Sequence, residues 1–155
     1  MSMIEGTHHQ STETTVLAAD EWVILLTEES VRLHSLGIRS GVISIDFSSA
    51  SDPGLFRDRA VRLLRRGLRS TDRIGLTSEG SLAILHAPLP SLPELERMSR
   101  QIDVHLDGAG MTASIGFAHR RSGEDLLDTF ARADAQADRA SFRREHPSGE
   151  GLRLS

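Results

Sequence analysis

Residues 69–85 read RSTDRIGLTSEGSLAIL, and this stretch says more about the fold than any other part of the chain. Two segments of strand length, Asp72–Leu76 and Leu82–Ala87, flank the polar segment Thr77–Ser81. Short runs rich in aliphatic residues and bounded by Ser and Gly are typical of two strands joined by a turn. The pattern therefore predicts a hairpin with Ser78–Ser81 exposed at its tip.

Helical and strand patterns alternate on both sides of this hairpin. Apolar residues recur at helical spacing, and residues that favour helix starts precede several of these segments. The predicted elements are a helix over 20–36 with Asp20 as its N-cap, a buried strand at Gly41–Phe47, a helix opened by Asp52-Pro53, the hairpin, a helix capped by Ser91 and Glu94, a strand at Met111–Ala118, a long helix capped by Ser122 and Asp125, and a weak strand at Gly151–Leu154. The order α-β-α-β-β-α-β-α-β predicts an α/β (α+β) fold in which helices pack on a mixed sheet.

The composition excludes several classes of function. The chain has 155 residues, a length that suits one domain, and it has no cysteine for disulfides or thiol chemistry. A net charge of −4 argues against general nucleic-acid binding. No apolar run is long enough to span a membrane, and the polar start is not a signal peptide, so we expect no membrane partner and a cytoplasmic location. We expect a flexible polar tail over 1–18 and a single domain over 19–155.

Four segments resemble GGDEF domains, the catalytic domains of diguanylate cyclases. The resemblance is strongest over 40–146, and its order and spacing match the family. The matching segments are RSTDRIG at 69–75, LAIL at 82–85, TASIGFA at 112–118, and the closing helix at 125–140. The resemblance implies a nucleotide-cyclase-like central mixed sheet of four to five strands flanked by helices, in a bacterial signalling protein.

At the positions where the family has its catalytic residues, this chain has residues of other types. Family members hold their divalent ions with two carboxylates, and Ser44 and Gly80 stand at those two positions. The degenerate signature is Ser78–Leu82: Ser78 and Glu79 replace two glycines, and Ser81 replaces an acidic guanine contact. Phosphoryl transfer depends on the metal ions. The resemblance therefore implies that this chain is not an enzyme and holds no metal or other cofactor.

The helix after the first strand is also shorter than in the family and lacks its guanine-reading residues, and Ser141 replaces a phosphate-binding lysine. By contrast, the family's product-inhibition site is matched. That site uses an Arg-x-x-Asp segment before the signature and an arginine on the following helix, and Arg69, Asp72 and Arg100 fill these places. Guanidinium groups bind phosphate and stack on guanine, and a carboxylate accepts hydrogen bonds from guanine. The resemblance thus implies a cyclic di-GMP receptor or signalling module.

Other interpretations stay open. Arg69 and Asp72 can also form an ordinary exposed ion pair, in which case Asp72→Asn would leave the fold intact. The main alternative function is a ligand-free protein-interaction or dimerisation domain derived from a diguanylate cyclase. The helix over 20–36 carries an apolar run at Trp22–Leu26 that suits a homodimer, a protein partner, or burial on its own domain. An enzyme with a new site ranks last, and His34, His86, His105 and His119 lie too far apart in sequence to predict a metal site.

Overall fold

The computed structural model of the chain describes residues 14–145. Within that range it contains five strands and four helices. In chain order these are β1 (Thr15–Leu17), α1 (Ala19–Leu36), β2 (Gly41–Asp46), α2 (Pro53–Arg65), β3 (Arg73–Ser78), β4 (Ser81–His86), α3 (Leu92–Gly108), β5 (Ser114–His119) and α4 (Leu126–Glu145).

One strand was not predicted. The expectation of a flexible tail over 1–18 is wrong at Thr15–Leu17, because these residues form β1 and pair in parallel with β3. Residues 1–13 and the strand predicted at Gly151–Leu154 lie outside the described residues. From α1 to α4 the observed order of elements is the predicted one.

The five strands form one mixed sheet in the order β1-β3-β4-β2-β5. Strand β2 lies between β4 and β5 and is antiparallel to both, and β3 and β4 form the predicted antiparallel hairpin. Only the β1–β3 pair is parallel. This arrangement confirms the predicted central mixed sheet of four to five strands flanked by helices.

The N-cap residues recognised in the sequence predicted most helix starts correctly. The side chains of Asp52 and Ser91 accept hydrogen bonds from the backbone N–H groups of Leu55 and Glu94, as expected of N-caps. Asp20 is not an N-cap, because α1 starts earlier, directly after β1. Its N-cap is Ala18, whose backbone N–H donates to Oε1 of Glu21 at 2.8 Å.

Helices cover both faces of the sheet, so the domain has three layers. The alternation of side chains along β2 divides the core in two. Ile43 and Ile45 belong to the cluster that includes residues of α2 and α3, whereas Val42 belongs to the cluster with α1 and α4. Ser44 and Asp46 therefore share the α1 and α4 side of the sheet with Val42.

Two glycines let the helices of that second layer approach the sheet closely. A Cβ atom at Gly75 would lie less than 3.0 Å from the indole ring of Trp22 in α1. A Cβ at Gly116 would meet the backbone of α4 at Ala133 equally closely. These approaches bring α1 and α4 onto the middle of the sheet, because the strand pairing puts Gly75 and Gly116 in one row across it. No helix of the described range is both long and apolar enough to cross a membrane.

Candidate functional site

A cavity of about 470 Å³ opens where the β3–β4 hairpin turns, and we call it the hairpin cavity. Strand register explains why its residues meet: Asp46 at the end of β2 pairs with Ser81, and Ser81 pairs with Ser78. Helices α1 and α4 form the rest of the wall. The lining residues are Ala19, Trp22, Val23, Asp46, Ser48, Thr77, Ser78, Ser81, Phe130, Asp134 and Asp138.

The residues of the predicted degenerate signature, Ser78–Leu82, do not all line this cavity. Ser78 and Ser81 line the cavity, and their hydroxyl oxygens lie 2.6 Å apart. Ser78 and Glu79 are exposed, as predicted for the hairpin tip, whereas Gly80 and Ser81 are half-buried. Glu79 extends over Gly54 at the start of α2 and is not among the cavity residues. Leu82 is buried in the core cluster with α2 and α3.

Ser44 and Gly80, which the sequence resemblance aligns with metal-binding carboxylates, both lie in closely packed surroundings. A Cβ atom at Gly80 would lie 2.8 Å from Cβ of Pro53, so no larger side chain fits without a shift of α2 or the turn. Ser44 is fully buried, and its hydroxyl donates to Oδ1 of Asp134 at 2.9 Å. Among residues 14–145, no group of three or more His, Asp or Glu side chains is arranged to hold a metal ion.

The hairpin cavity is acidic. Asp46, Asp134 and Asp138 line it, and no arginine or histidine is among its lining residues. Partial burial and the neighbouring charges of Asp134 and Asp46 raise the pKa of Asp138 above its ordinary value. Such a field repels a triphosphate and attracts a cation.

Arg69 and Asp72 lie at a different place, at the turn that leads into β3. Asp72 is only 1% exposed, and its Oδ2 accepts a hydrogen bond from the backbone N–H of Arg69 at 3.0 Å. Its Oδ1 lies 2.9 Å from Nδ1 of His86 and 3.4 Å from Nη2 of Arg69. The expectation of an exposed surface pair is therefore wrong for Asp72. His86 was not predicted as part of this site. Its position, one residue beyond the Arg73–Leu85 strand pair, brings it beside Asp72.

One nitrogen of the Arg69 guanidinium group is hydrogen-bonded, and the other two are free of partners within residues 14–145. Its Nη2 donates to the backbone oxygen of Pro88 at 2.8 Å and lies 3.2 Å from both ring nitrogens of His86. The side chain remains 44% exposed. Its Nε and Nη1 make no hydrogen bond to any part of the chain that the structure describes. These groups are available to a ligand.

Arg100 lies on the exposed surface of α3, in a shallow hollow that it shares with Arg97, Gln101, Val104 and His105. Neither Arg69 nor Asp72 lines that hollow. The pKa of Glu94 is lowered by its hydrogen bond to Arg97, with smaller effects of the charges on His86 and Arg69. The start of α3 lies near the Arg69 turn, because Nη2 of Arg69 donates to the backbone oxygen of Pro88, four residues before the helix begins. Arg100 follows farther along the same helix.

Comparison with solved structures identifies similar folds. The GGDEF domain of DgcB from Caulobacter crescentus, solved in complex with c-di-GMP, has a TM-score of 0.66 at 15% identity over 80% of this chain and 82% of that chain. The diguanylate cyclase SiaD from Pseudomonas aeruginosa, in complex with its activator SiaC, has a TM-score of 0.67 at 21% identity over 80% of this chain and 54% of that one. The FimX GGDEF domain from Pseudomonas aeruginosa has a TM-score of 0.63 at 19% identity, over 81% and 89% of the two chains.

No protein-family model matches the sequence, and no curated protein matches it either. The likeness is therefore one of structure, at identities where side chains have diverged widely. It covers about four fifths of this chain. The chain has the fold of GGDEF domains.

Proposed function

We propose that this chain is a catalytically inactive GGDEF-like domain that acts as a cyclic di-GMP receptor or signalling module through Arg69, Asp72 and Arg100. The observation that carries the proposal is that the Arg69 guanidinium group is held in place and still has free hydrogen-bond donors. Its guanidinium is fixed by Asp72, His86 and Pro88 on one side, while Nε, Nη1 and the exposed face stay free. A fixed guanidinium loses little conformational entropy when it binds phosphate or stacks on a base.

The burial of Asp72 changes the role that we assign to it. Its carboxylate already accepts hydrogen bonds within the turn. A guanine base could reach it only if the turn opened. Asp72 therefore acts as a positioning residue that holds Arg69, and Arg69 makes the contact with the ligand.

Arg100 is the second positive group of the proposed site. The helical rise of about 1.5 Å per residue places its Cα about 9 Å beyond that of Glu94. Glu94 is close enough to Arg69 to respond to its charge. Two long, exposed arginine side chains suit a ligand with two phosphates, because each guanidinium can pair with one of them.

The proposed lack of cyclase activity rests on Ser44 and Gly80. The Ser44 hydroxyl is bonded to Asp134, and a side chain at Gly80 would contact Pro53. Residues 14–145 thus offer a poor fit for the divalent ions that diguanylate cyclases use. The acidic cavity beside them also opposes the binding of GTP.

Calorimetric titration with cyclic di-GMP tests the receptor proposal. We expect saturable binding by the wild type, and Arg69→Ala should weaken it by about 1.5–3 kcal/mol, the range for a charge-assisted hydrogen bond. Arg59→Ala is the matched control, because Arg59 is exposed on α2 and away from the turn. The absence of wild-type binding at high micromolar ligand would refute the proposal, as would equal affinities of Arg69→Ala and the control.

A second candidate function rests on the outer face of α1. Trp22, Leu26 and Leu33 are buried on the domain, so part of the apolar run is explained by self-burial. Four large apolar residues of the same helix remain exposed: Val23, Ile24, Val31 and Leu36. This surface favours a homodimer or a protein partner, and it supports the alternative of a ligand-free interaction domain.

A further inference from the structure

We propose that a cavity between α2 and α3 binds a small amphipathic anion, with an aliphatic chain in the apolar interior of the cavity and a carboxylate on Arg66. We call this space the α2–α3 cavity. Neither Arg69 nor Asp72 is among its lining residues. The proposal therefore does not depend on cyclic di-GMP binding.

The α2–α3 cavity has the size and the lining of a small-molecule site. Its volume is about 350 Å³, and ligand sites typically measure about 300–1,000 Å³ and are mostly apolar. Leu64 and Ile102 are buried and form its floor, whereas Leu63, Leu68 and Met98 are half-buried and form its walls. Partly exposed apolar walls of this kind gain free energy when a ligand chain covers them.

The cavity is open because of the turn that follows α2. The helix runs to Arg65, and the chain then continues through Gly67, which also lines the cavity. A Cβ atom at Gly67 would meet only the backbone oxygen of Leu64, at 4.0 Å. Position 67 therefore contributes no side chain that would fill the space between the helices.

The rim of the cavity is polar, and its charge is positive. The exposed lining residues with side chains are Arg66, Gln101 and His105, and no Asp or Glu is among the lining residues. Nδ1 of His105 lies 2.8 Å from the backbone oxygen of Gln101, so this ring is held against its own helix. The Arg66 guanidinium makes no hydrogen bond or ion pair within residues 14–145. It is therefore the rim group that is available to an anion.

The charge around Arg66 favours the approach of an anion. Residues 57–69 include six arginines and a single acidic residue, Asp58. Arg65 and Arg66 lie at the C-terminal end of α2, where cations also stabilise the helix, so an arginine-rich helix end is not a ligand site by itself. What distinguishes Arg66 is its position on the rim of an apolar cavity, where an unpaired guanidinium and apolar walls occur together.

Together these features define the class of ligand. The apolar interior excludes a nucleotide or a bare metal ion, and the positive rim disfavours an amine. A carboxylate pairs with a guanidinium through two parallel hydrogen bonds, and a buried aliphatic chain adds the hydrophobic contribution. The volume of about 350 Å³ suits one chain of medium length.

Met98 reports binding inside the cavity itself. With carbon-13-labelled methionine methyl groups, the Met98 signal should shift saturably as hexanoate or octanoate is added at constant pH and ionic strength. Met111 is buried and is not among the lining residues, so its signal should move much less. Octanoate should bind about tenfold more tightly than hexanoate, because it buries two further methylenes at about 0.8 kcal/mol each. Hexan-1-ol and hexylammonium, which lack the negative charge, should bind at least about tenfold more weakly than hexanoate.

Variants of Arg66 test the contact with the carboxylate. Arg66→Glu should weaken octanoate binding by at least about tenfold. Arg66→Lys keeps the charge but loses the two parallel hydrogen bonds, so its loss of affinity should be smaller. Arg139→Glu makes the same change of charge at an exposed position of α4, on the other side of the sheet, and should bind octanoate as the wild type does.

An unchanged Met111 signal in each variant shows that the core is intact, so a loss of binding then identifies the site. Four results would overturn the proposal: no shift of the Met98 signal at about 10 mM octanoate, equal affinities for hexanoate and hexan-1-ol, octanoate binding by Arg66→Glu equal to that of the wild type, or a Met98 signal that responds to protein concentration and not to octanoate. The last result would identify a second copy of the chain as the occupant.

Discussion

Nδ1 of His86 lies 2.9 Å from Oδ1 of Asp72, and both side chains are buried. The contact joins the turn before β3 to the last residue of β4. Since Oδ2 of the same carboxylate binds the backbone N–H of Arg69, Asp72 fixes the conformation of the turn as well as the side chain of Arg69. The pair is thus part of the fold and also positions the proposed ligand contact.

Asp72→Asn should destabilise the protein, contrary to the expectation for an exposed pair. An amide has the same shape, but it loses the charge that strengthens these hydrogen bonds. One amide end would also face a backbone or histidine donor. We expect a loss of about 1.5–3 kcal/mol in the free energy of unfolding, measured by urea denaturation. Asp128→Asn should change it by less than about 0.5 kcal/mol. Equal stability of the two variants would show that the buried contact has no structural role.

Gly75→Ala should displace Trp22. The added Cβ would overlap the indole ring, and this ring lies between α1 and the sheet. We expect a destabilisation of about 1–3 kcal/mol and a red shift of tryptophan emission in the native protein. Gly108→Ala is the control, because a Cβ there meets nothing within 4 Å, and alanine favours a helix more than glycine does. Unchanged emission in Gly75→Ala would contradict the packing described for Trp22.

The sequence predicted those features that depend on neighbouring residues. The hairpin, the Pro53 and Ser91 helix starts and the alternation along β2 are all set by short segments, and the structure confirms them. The sequence could not reveal β1, since a strand of three residues is too short for a periodic pattern and pairs with a distant part of the chain. The burial of Asp72 beside His86 depends on the register of two strands, which the sequence pattern does not specify.

The ion pair between Glu124 and Arg132 should make stability depend on acid pH. Oε1 of Glu124 accepts from Nη2 of Arg132 at 2.6 Å, and Oε2 accepts from its Nε at 2.9 Å. The arginine hydrogen bond is the main cause that lowers the pKa of Glu124 to about 2, with smaller contributions from the Arg121 backbone and Thr129. Because the folded-state pKa lies below the ordinary value of 4.5, the pair stabilises the fold fully above that pH. Its contribution falls as the pH drops towards about 2.

Glu124→Gln tests this dependence. At neutral pH the variant should be less stable than the wild type by about 1.5–3 kcal/mol. The difference should shrink as the pH is lowered through the acid range in parallel denaturation experiments. Glu96→Gln, at an exposed position of α3, should show no such convergence. A constant difference between wild type and Glu124→Gln at every pH would mean that the charge of Glu124 is not what stabilises this region.

Incubation with GTP and either Mg²⁺ or Mn²⁺ should yield no cyclic di-GMP. This prediction rests on Ser44 and Gly80, which the sequence resemblance aligns with the metal-binding carboxylates of GGDEF domains. Ser44→Asp with Gly80→Glu should not restore activity, because a side chain at position 80 would press on Pro53. Product formation is measured by chromatography. Activity that scales with protein concentration and survives further purification would contradict the prediction.

The exposed face of α1 should cause reversible self-association. Ile24 and Val31 are seven positions apart, so they lie on one side of the helix, and Val31 is 69% exposed. Two copies of this stripe can bury each other, and the gain of about 25 cal/mol per Å² of apolar surface must exceed the entropy lost on association. Ile24→Glu with Val31→Glu should therefore lower the mean mass in multi-angle light scattering at high protein concentration. Val104→Glu, at an equally exposed apolar position on α3, should leave it unchanged. A wild type that stays monomeric at every concentration would exclude the homodimer and leave a different protein partner as the reason for this surface.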